Sequence, residues 1–352
     1  MPADIPPLFD RALIAKYDVD APRYTSYPTA AQFRGDFGEA DLLQAIRLSN
    51  DDPIPRDLSA YLHIPFCQSP CYYCGCARII TRDRGKAASH LARLYREIEL
   101  AAARFDRDRR LAQLHIGGGT PNFLDAAQLV ELIESLGRHF RSSGDAGLEF
   151  GIELDPRFCD EGYARQVAAA GINCVSIGVQ DFDPAVQHAV NRIQSIDETA
   201  AVMAGARRGG ARSINLDLIY GLPLQSPDSF ARTLEEVIAL RPDRVATYGY
   251  AHLPERYRAQ RRIGKYQLPD ASTRLTLLQL GVEKLTAAGY RHIGVDHFAL
   301  PEDDLALAAR DGTLQRNFQG YSTYAACDLI GLGMSAISHI GASFSQNAKD
   351  LA

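Results

Sequence analysis

The sequence has little that would direct the chain to a membrane or out of the cell. No apolar run is long enough to span a bilayer, and the opening residues MPADIPPLFDRAL lack the charged-then-apolar pattern of a signal peptide. There is also no excess of one charge, because 38 basic residues face 43 acidic ones and the formal net charge is -5. That balance gives no electrostatic reason to expect nucleic acid or an anionic membrane as a partner.

Cysteines are few and unevenly placed. There are seven, an odd number, and four of them fall within ten residues. An exported protein more often spaces its cysteines for disulfides, whereas a cytosolic protein clusters them around metal. We therefore expect a cytoplasmic protein. Hydrophobic residues make up 46% of the chain, enough for a large buried core. No association signal is present, so a monomer is expected.

From Leu58 onward, short apolar runs alternate with longer amphipathic stretches, a pattern typical of repeated strand–helix units and a parallel sheet. The predicted strands are Ser59–Ile64, Gln113–Gly117, Leu148–Leu154, Cys174–Val179, Ile214–Ile219, Arg244–Tyr250 and Tyr290–Val295. The predicted helices are Ala87–Phe105, Ala126–Phe140, Tyr163–Ala170, Glu198–Arg208, Ser229–Leu240 and Ser272–Ala288. Units of this kind close, fully or partly, into a barrel, and an open doubly wound sheet is the competing architecture.

The first forty residues differ from the rest. They are rich in Pro, Tyr and Asp and show little periodicity, which predicts an arm laid on the surface or across a site. The sequence therefore predicts an α/β protein with a partial (β/α) barrel. Its domains are expected to be an N-terminal arm at residues 1–45 and the barrel at residues 46–352.

A cluster of four cysteines follows the first predicted strand, in the segment HIPFCQSPCYYCGC. Cys67, Cys71 and Cys74 are spaced by four and three residues, so three thiolates can converge on three corners of a [4Fe–4S] cube from one short loop. Three protein ligands leave one iron open, and an open position distinguishes a catalytic metal centre from a structural one. The spacing thus predicts a [4Fe–4S] cluster on these three cysteines.

Two other interpretations of the same loop exist. A structural zinc knot would use all four thiols, Cys76 included, but zinc knots usually pair C-x-x-C units across a longer gap. A disulfide is expected less in a cytosolic chain. The remaining Cys159, Cys174 and Cys327 lie in or near apolar runs and are predicted to be packed thiols.

Further motifs follow in order along nearly the whole chain. They are PRYTSYPTA at Pro22–Ala30, HIGGGTP at His115–Pro121, ELDPR at Glu153–Arg157, GVQDF at Gly178–Phe182, NLDLIYGLP at Asn215–Pro223, YAHLP at Tyr250–Pro254 and RNFQGYST at Arg316–Thr323. With the C-x-x-x-C-x-x-C loop, they resemble the radical S-adenosylmethionine superfamily. Within it, the sequence is similar to the oxygen-independent coproporphyrinogen III oxidases, also called coproporphyrinogen dehydrogenases.

The resemblance implies an enzyme that decarboxylates two propionate side chains of coproporphyrinogen III to vinyl groups without oxygen, giving protoporphyrinogen IX. In this superfamily S-adenosylmethionine chelates the open iron, and an electron from the cluster yields a 5′-deoxyadenosyl radical. The resemblance also implies two S-adenosylmethionine molecules, an electron donor and an electron acceptor. Residues 46–352 would form the radical S-adenosylmethionine catalytic barrel, and the family's C-terminal helical domain is expected to be absent.

The resemblance further assigns roles to individual residues. One S-adenosylmethionine would lie among Tyr61, Gly118 and Glu153. The other would lie among Tyr73, Gly119, Thr120, Gln180, Arg192, Asp217, Ala251 and Ile337. Tyr61 and Cys76 are expected to be catalytic, with Cys76 not binding the cluster. The propionates call for cationic or donor groups, for which the candidates are Arg23, Tyr24, Arg316 and Gln319.

The position of these residues supports the assignment, because most fall at or beyond the carboxyl ends of predicted strands, where barrel active sites are built. Each alone also has an ordinary explanation, such as a glycine turn, a buried polar group or a surface arginine. Two alternatives stay open. One is a haem-binding chaperone of the same superfamily, against which Cys76 and the PRYTSYPT segment argue. The other is a non-catalytic barrel stabilised by zinc.

Overall fold

The computed structural model describes residues 9–17, 28–141, 148–317, 319–324 and 326–350. The helices are α1 Arg11–Tyr17, α2 Glu39–Asn50, α3 Gly85–Ala102, α4 Ala126–His139, α5 Glu161–Ala169, α6 Pro184–Ala189, α7 Ile196–Gly209, α8 Pro227–Leu240, α9 Ala271–Ala287 and α10 Asp304–Asp311. The strands are β1 Leu58–Ile64, β2 Phe66–Cys67, β3 Ile79–Ile80, β4 Leu111–Gly118, β5 Glu149–Leu154, β6 Cys174–Gln180, β7 Ser213–Tyr220, β8 Arg244–Gly249, β9 Arg291–Gly294, β10 His297–Ala299, β11 Gln315–Asn317, β12 Gly320–Ser322, β13 Asp328–Leu332, β14 Ile337–Ile340 and β15 Ser343–Gln346.

One large sheet organises the molecule, with strand order β15-β14-β13-β1-β4-β5-β6-β7-β8-β10-β9. All neighbours from β13 through β8 pair in parallel. Helices cover the faces of parallel sheets, so parallel strands are buried on both faces and read as continuous apolar runs. In β1 every residue except Tyr61 is buried. Each fully buried Leu, Ile or Val side chain contributes about 1.5–3 kcal/mol. Burial of these runs explains why the sequence forms strands here.

The strand order identifies the architecture as a partial barrel. From β1 to β8 each parallel strand lies beside the next one in the chain, with no reversal of order. A doubly wound sheet requires such a reversal, so that alternative is wrong. Across the described residues, the sheet ends at β15 on one side and β9 on the other. The hairpin β11–β12 reaches the interior, where Gln113 of β4 donates to Ser322 Oγ at 3.1 Å.

The parallel strands predicted from the sequence are confirmed, but the last predicted strand differs. Within the predicted strand Tyr290–Val295, only Arg291–Gly294 form β9, which pairs antiparallel with β10 at the edge of the sheet. Tyr290 lies outside the strand and donates its hydroxyl to the Pro242 carbonyl at 2.7 Å. Val295 has a φ of 49°, so a turn joins β9 to β10 directly and no helical crossover intervenes. Strands β13 to β15 were not predicted.

The N-terminal segment is described in part. In α1, Arg11 donates to Gln279 Oε1 of α9 at 2.8 Å, which ties this helix to the barrel. Helix α2 crosses the predicted boundary at residue 45, and its Ala45 and Ile46 are buried in the core. The predicted substrate residues Arg23 and Tyr24 lie outside the described residues. Across the described part of the chain, no helix is both long and apolar enough to cross a membrane.

Candidate active site

The cysteine loop leaves the carboxyl end of β1 and is fixed at both ends. Strands β2 and β3 pair in parallel, so the loop begins and ends at one small ladder. Loops after other strands hold its middle. Asn191 Nδ2 donates to the Pro70 carbonyl at 2.7 Å, and Gln260 Nε2 donates to the Tyr73 carbonyl at 2.8 Å. These bonds preorganise a loop that has little regular structure of its own.

Two of the three predicted cluster cysteines receive uncharged donors. Thr120 Oγ1 donates to Cys67 Sγ at 3.2 Å, and the backbone N–H of Cys76 donates to Cys74 Sγ at 3.4 Å. Burial raises the pKa of Cys67 to about 11. A hydrogen bond from the Cys76 side chain, outweighing burial, lowers the pKa of Cys74 to about 6. Cys76 itself is exposed and supplies a backbone donor to this sulfur.

The third cysteine, Cys71, receives charged donors. Arg157 Nη2 lies 3.3 Å from its Sγ and Arg192 Nη1 lies 3.6 Å from it. Both guanidinium groups also bind Asp155, at 2.6 Å from Arg157 and 3.0 Å from Arg192. Burial opposes ionisation of Asp155, but the two arginines outweigh it and lower its pKa. The cysteine loop therefore faces a buried, charged network.

The donor set fits a [4Fe–4S] cluster better than a single ion. Across the described residues, no three His, Cys, Asp or Glu side chains form a group that could hold one metal ion. A zinc ion needs each sulfur about 2.3 Å from one point, whereas a cube spreads its three thiolates over three irons. Cys67, Cys71 and Cys74 line one cleft and receive N–H and O–H donors of the kind that tune such clusters. A preformed zinc knot is not supported.

This cleft lies at the carboxyl ends of the parallel strands, where barrel active sites are built. It brings together most of the residues predicted from the sequence. They are Cys67, Cys71, Tyr73, Cys74, Cys76, Gly118, Gly119, Thr120, Glu153, Gln180, Arg192 and Asp217. Arg192 Nε is buried there and has no hydrogen-bond partner in the described structure, so one donor stays available to a ligand.

A second cavity adjoins the cleft and shares Cys76, Gly118 and Glu153 with it. Its wall includes Tyr61 and Ile337. The sequence analysis placed Ile337 with Tyr73, around the other S-adenosylmethionine. In the structure Ile337 lies beside Tyr61, because its strand β14 is next to β13 and β13 pairs with β1. Ala251 does not line either space, and its carbonyl accepts from Gln260 at 3.1 Å.

The two glycines that end β4 permit close packing at the junction of the two cavities. Gly118 has a φ of 112°, and a Cβ there would lie 2.8 Å from the His63 ring. A Cβ on Gly117 would lie 2.7 Å from Glu153 Oε1. Any larger residue would displace either the histidine or the carboxylate.

Glu153 belongs to a chain of aromatic and acidic groups. His115 Nε2 lies 3.1 Å from Glu153 Oε1, and the His115 ring stacks on Tyr61 with centroids 5.9 Å apart. Burial opposes protonation of His115, but Glu153 outweighs it and the pKa of the histidine is raised. Burial also raises the pKa of Tyr61, whose hydroxyl lies 3.3 Å from His63 Nδ1.

Asp217 and Gln180 lie on neighbouring strands at the far wall of the cleft. Asp217 accepts from Ser176 Oγ at 2.7 Å and from Asn215 Nδ2 at 2.8 Å, and burial raises its pKa. Gln180 has a φ of 70°, an uncommon conformation for a residue other than glycine, at an irregularity in the β6–β7 register. Strain of this kind is concentrated at functional sites.

Of the predicted substrate residues, Arg316 and Gln319 are described. The Arg316 guanidinium lies over the Tyr321 ring at 4.6 Å, and Gln319 lines the second cavity. Sequence reasoning missed Asp155, Arg157 and His115. The first two stand in the ELDPR motif and His115 opens HIGGGTP, so those motifs were the available signal.

Comparisons with known proteins define the class first. The Radical SAM superfamily matches residues 61–237, which contain the cysteine loop and strands β4 to β7. The solved structure of coproporphyrinogen III oxidase from Escherichia coli, described as a radical SAM enzyme, is similar with a TM-score of 0.90 at 46% identity. That similarity covers 97% of this chain and 76% of the Escherichia coli chain.

Relatives narrow the class to one family. Oxygen-independent coproporphyrinogen III oxidase from Pseudomonas aeruginosa is 54% identical, over 97% of this chain and 74% of the relative. The protein of the same name from Escherichia coli is 48% identical, with the same two coverages. The chain therefore belongs to the oxygen-independent coproporphyrinogen III oxidases. Membership supports the oxidase over the haem-binding chaperone, and it implies a [4Fe–4S] cluster and S-adenosylmethionine as cofactors.

Proposed function

We propose that this chain converts coproporphyrinogen III to protoporphyrinogen IX by anaerobic oxidative decarboxylation of two propionate side chains. The observation that carries this proposal is the loop of Cys67, Cys71 and Cys74 at the carboxyl end of β1, facing a cleft closed by the other strand ends. When bound, the cluster and S-adenosylmethionine supply abstraction of a hydrogen atom from the propionate β-carbon, after which carbon dioxide and one electron leave. An electron acceptor takes that electron.

The residues of the chain bind and shield these groups. Cys67, Cys71 and Cys74 would hold the cluster, and the glycines at the end of β4 let Glu153 and His63 pack directly against the backbone. Asp217 and Glu153 offer acceptors to ribose hydroxyls or an ammonium. Tyr61 and Cys76 are proposed as catalytic residues, since both line the second cavity beside the cleft.

Two S-adenosylmethionine molecules are part of the proposal. Two adjoining spaces share Cys76, Gly118 and Glu153, and the remaining predicted residues divide between them with the exception of Ala251. Equilibrium dialysis of the reconstituted protein with labelled S-adenosylmethionine tests this directly. Two bound molecules per chain are expected, and one per chain would contradict the second site.

The coproporphyrinogen propionates are proposed to meet Arg316 and Gln319 near the second cavity, with Arg23 and Tyr24 from the N-terminal segment. An Arg23→Ala variant with unchanged apparent substrate affinity would remove that residue from the set. We also propose that residues 1–45 form an arm and the rest of the chain a catalytic barrel. Helix α2 spans this boundary, and its Ala45 and Ile46 are buried in the core.

We further propose that the enzyme is cytoplasmic and monomeric. It would use a separate electron donor and a separate electron acceptor. All seven cysteines, each within the described residues, are free thiols, as a reducing compartment would keep them. Sedimentation of the reconstituted protein tests the monomer, and a dimer mass would contradict it.

Anaerobic turnover tests the function. The reconstituted protein receives S-adenosylmethionine, a reductant, an electron acceptor and coproporphyrinogen III, and the porphyrin products are separated. Protoporphyrinogen IX is expected from the wild type and from a Cys327→Ala control, whose thiol is buried outside the cleft. It is expected to be lost in Cys67→Ala. No product from wild-type protein with a full cluster would refute the proposal.

A further inference from the structure

Two residues of the ELDPR motif, Asp155 and Arg157, have no role in the proposed site. They follow Glu153 just beyond the carboxyl end of β5. Both are charged and both are buried, with side chains 8% and 10% exposed. Charges this far from water are kept only where they are paired and hydrogen-bonded, and such pairs often serve a specific purpose.

The pair is fixed in place from two directions. Arg157 binds the carboxylate as a fork, with Nε 2.9 Å from Asp155 Oδ1 and Nη2 2.6 Å from Oδ2. Asn122, which is 1% exposed, exchanges two hydrogen bonds with the backbone of Asp155, both at 2.9 Å. A two-bond fork on an anchored backbone holds the guanidinium in one orientation.

That orientation is toward one cluster cysteine. Arg157 Nη2 lies 3.3 Å from Cys71 Sγ, and Arg192, which shares Asp155 Oδ2, lies 3.6 Å from the same sulfur. Two guanidinium groups and one carboxylate leave a net positive charge beside Cys71. Among the described residues, Cys67 accepts from the Thr120 hydroxyl, and Cys74 accepts from the backbone N–H and the thiol of Cys76. The guanidinium hydrogen bonds to sulfur therefore act at one corner of the site.

We propose that Arg157 and Asp155 are positioning residues that set the reduction potential of the cluster, Arg157 raising it and Asp155 limiting that rise. The inference rests on the proposed function, since it requires the cluster on Cys67, Cys71 and Cys74. Reduction adds one negative charge to the cluster. Hydrogen bonds to its sulfurs and nearby positive charge stabilise the reduced form, whereas a nearby carboxylate opposes it.

The test is a redox titration of the reconstituted protein without S-adenosylmethionine, followed by electron paramagnetic resonance of the reduced cluster. Dithionite supplies the single electron that converts [4Fe–4S]²⁺ to [4Fe–4S]⁺. Arg157→Gln removes the charge of one donor, and Asp155→Asn removes the opposing carboxylate at constant volume. Arg310→Gln is the matched control, because Arg310 also binds an aspartate, Asp311, but is 59% exposed. Iron and sulfide content is measured for every variant first.

The two variants are expected to shift in opposite directions. At the wild-type midpoint, Arg157→Gln should lower the ratio of reduced to oxidised cluster about tenfold, which equals about 59 mV for a one-electron couple. Asp155→Asn should raise that ratio about tenfold, and Arg310→Gln should leave it unchanged. A purely structural role cannot produce opposite shifts from two members of one pair.

Shifts in the same direction, or none, would overturn the proposal. Loss of the cluster from both variants, with unchanged thermal unfolding of the apo protein, would assign the pair to cluster assembly and would also overturn it. Failure of the proposed function is a separate result. It appears in the wild type, as protein that binds no cluster or forms no product, before any variant is compared.

Discussion

The ion pair between Arg109 and Asp328 is expected to be the charge pair on which folding depends most. Their side chains are 2% and 1% exposed and lie 2.7 Å apart. Arg109 also donates to the Arg56 carbonyl at 2.9 Å and to Asn50 at 2.9 Å. Asp328 accepts from the Gly341 N–H at 2.9 Å. The pair thus ties α2 and the segment before β4 to β13 and the turn after β14.

Breaking this pair from one side leaves a buried charge without a counterion. Arg109→Met is expected to lower the free energy of unfolding by about 3–5 kcal/mol. The double variant Arg109→Met/Asp328→Leu removes both charges and should recover part of that loss, because apolar replacements of a whole buried pair are often nearly neutral. Arg96→Gln is the control, since the Arg96–Glu99 pair is more than half exposed and contributes at most about 1 kcal/mol.

Urea unfolding of the apo protein, followed by circular dichroism, measures these differences. The pH adds a second check. Burial opposes ionisation of Asp328, but its hydrogen bonds and Arg109 outweigh it and lower its pKa in the folded state. The stability that the Asp328 carboxylate contributes is therefore fully present above its pKa in the unfolded chain, about 3.9. It is lost as the pH falls through the pKa of Asp328 in the folded protein. A loss below about 1 kcal/mol for Arg109→Met at pH 7 would refute this reasoning.

Three further outcomes follow from particular contacts. Gly205→Ala should destabilise the protein by about 1–3 kcal/mol, because the added Cβ would clash with the Glu161 carbonyl oxygen. The control Gly137→Ala should not destabilise it, because nothing lies within 4 Å of the added Cβ. Thermal unfolding compares the two variants. His115→Gln should cost more stability at pH 6 than at pH 8.5 in urea titrations, because the raised pKa of the histidine adds stability that is lost as pH rises through it. Gly117→Ala should weaken S-adenosylmethionine binding by displacing Glu153, which dialysis measures, and unchanged binding would contradict this.

The parallel strands could be predicted because burial on both faces leaves an unbroken apolar run in the local sequence. Strand β13 shows the limit of that approach. All five of its residues are buried, yet it begins with Asp328, whose carboxylate pairs with Arg109, far away in the chain. A charged residue in a short run does not predict a buried strand until its distant partner is known.

The candidate site, like the fold, has a part that the sequence predicts and a part that it does not. Spacing alone predicted Cys67, Cys71 and Cys74, because the chemistry needs three thiols on one loop. The charged donors to Cys71 could not be predicted, since Arg157 and Arg192 come from loops after two other strands. Their role depends on which strands the barrel places side by side, and the position of Ile337 beside Tyr61 depends on the same strand order.

The central claim is that this chain uses S-adenosylmethionine to remove a hydrogen atom from the substrate's propionates. The most direct measurement uses coproporphyrinogen III deuterated at the propionate β-carbons, with mass spectrometry of the 5′-deoxyadenosine formed during anaerobic turnover. Deuterium is expected in 5′-deoxyadenosine from wild-type protein, together with the vinyl product, and neither is expected from Cys67→Ala. Vinyl product accompanied by unlabelled 5′-deoxyadenosine, or by none, would contradict the account.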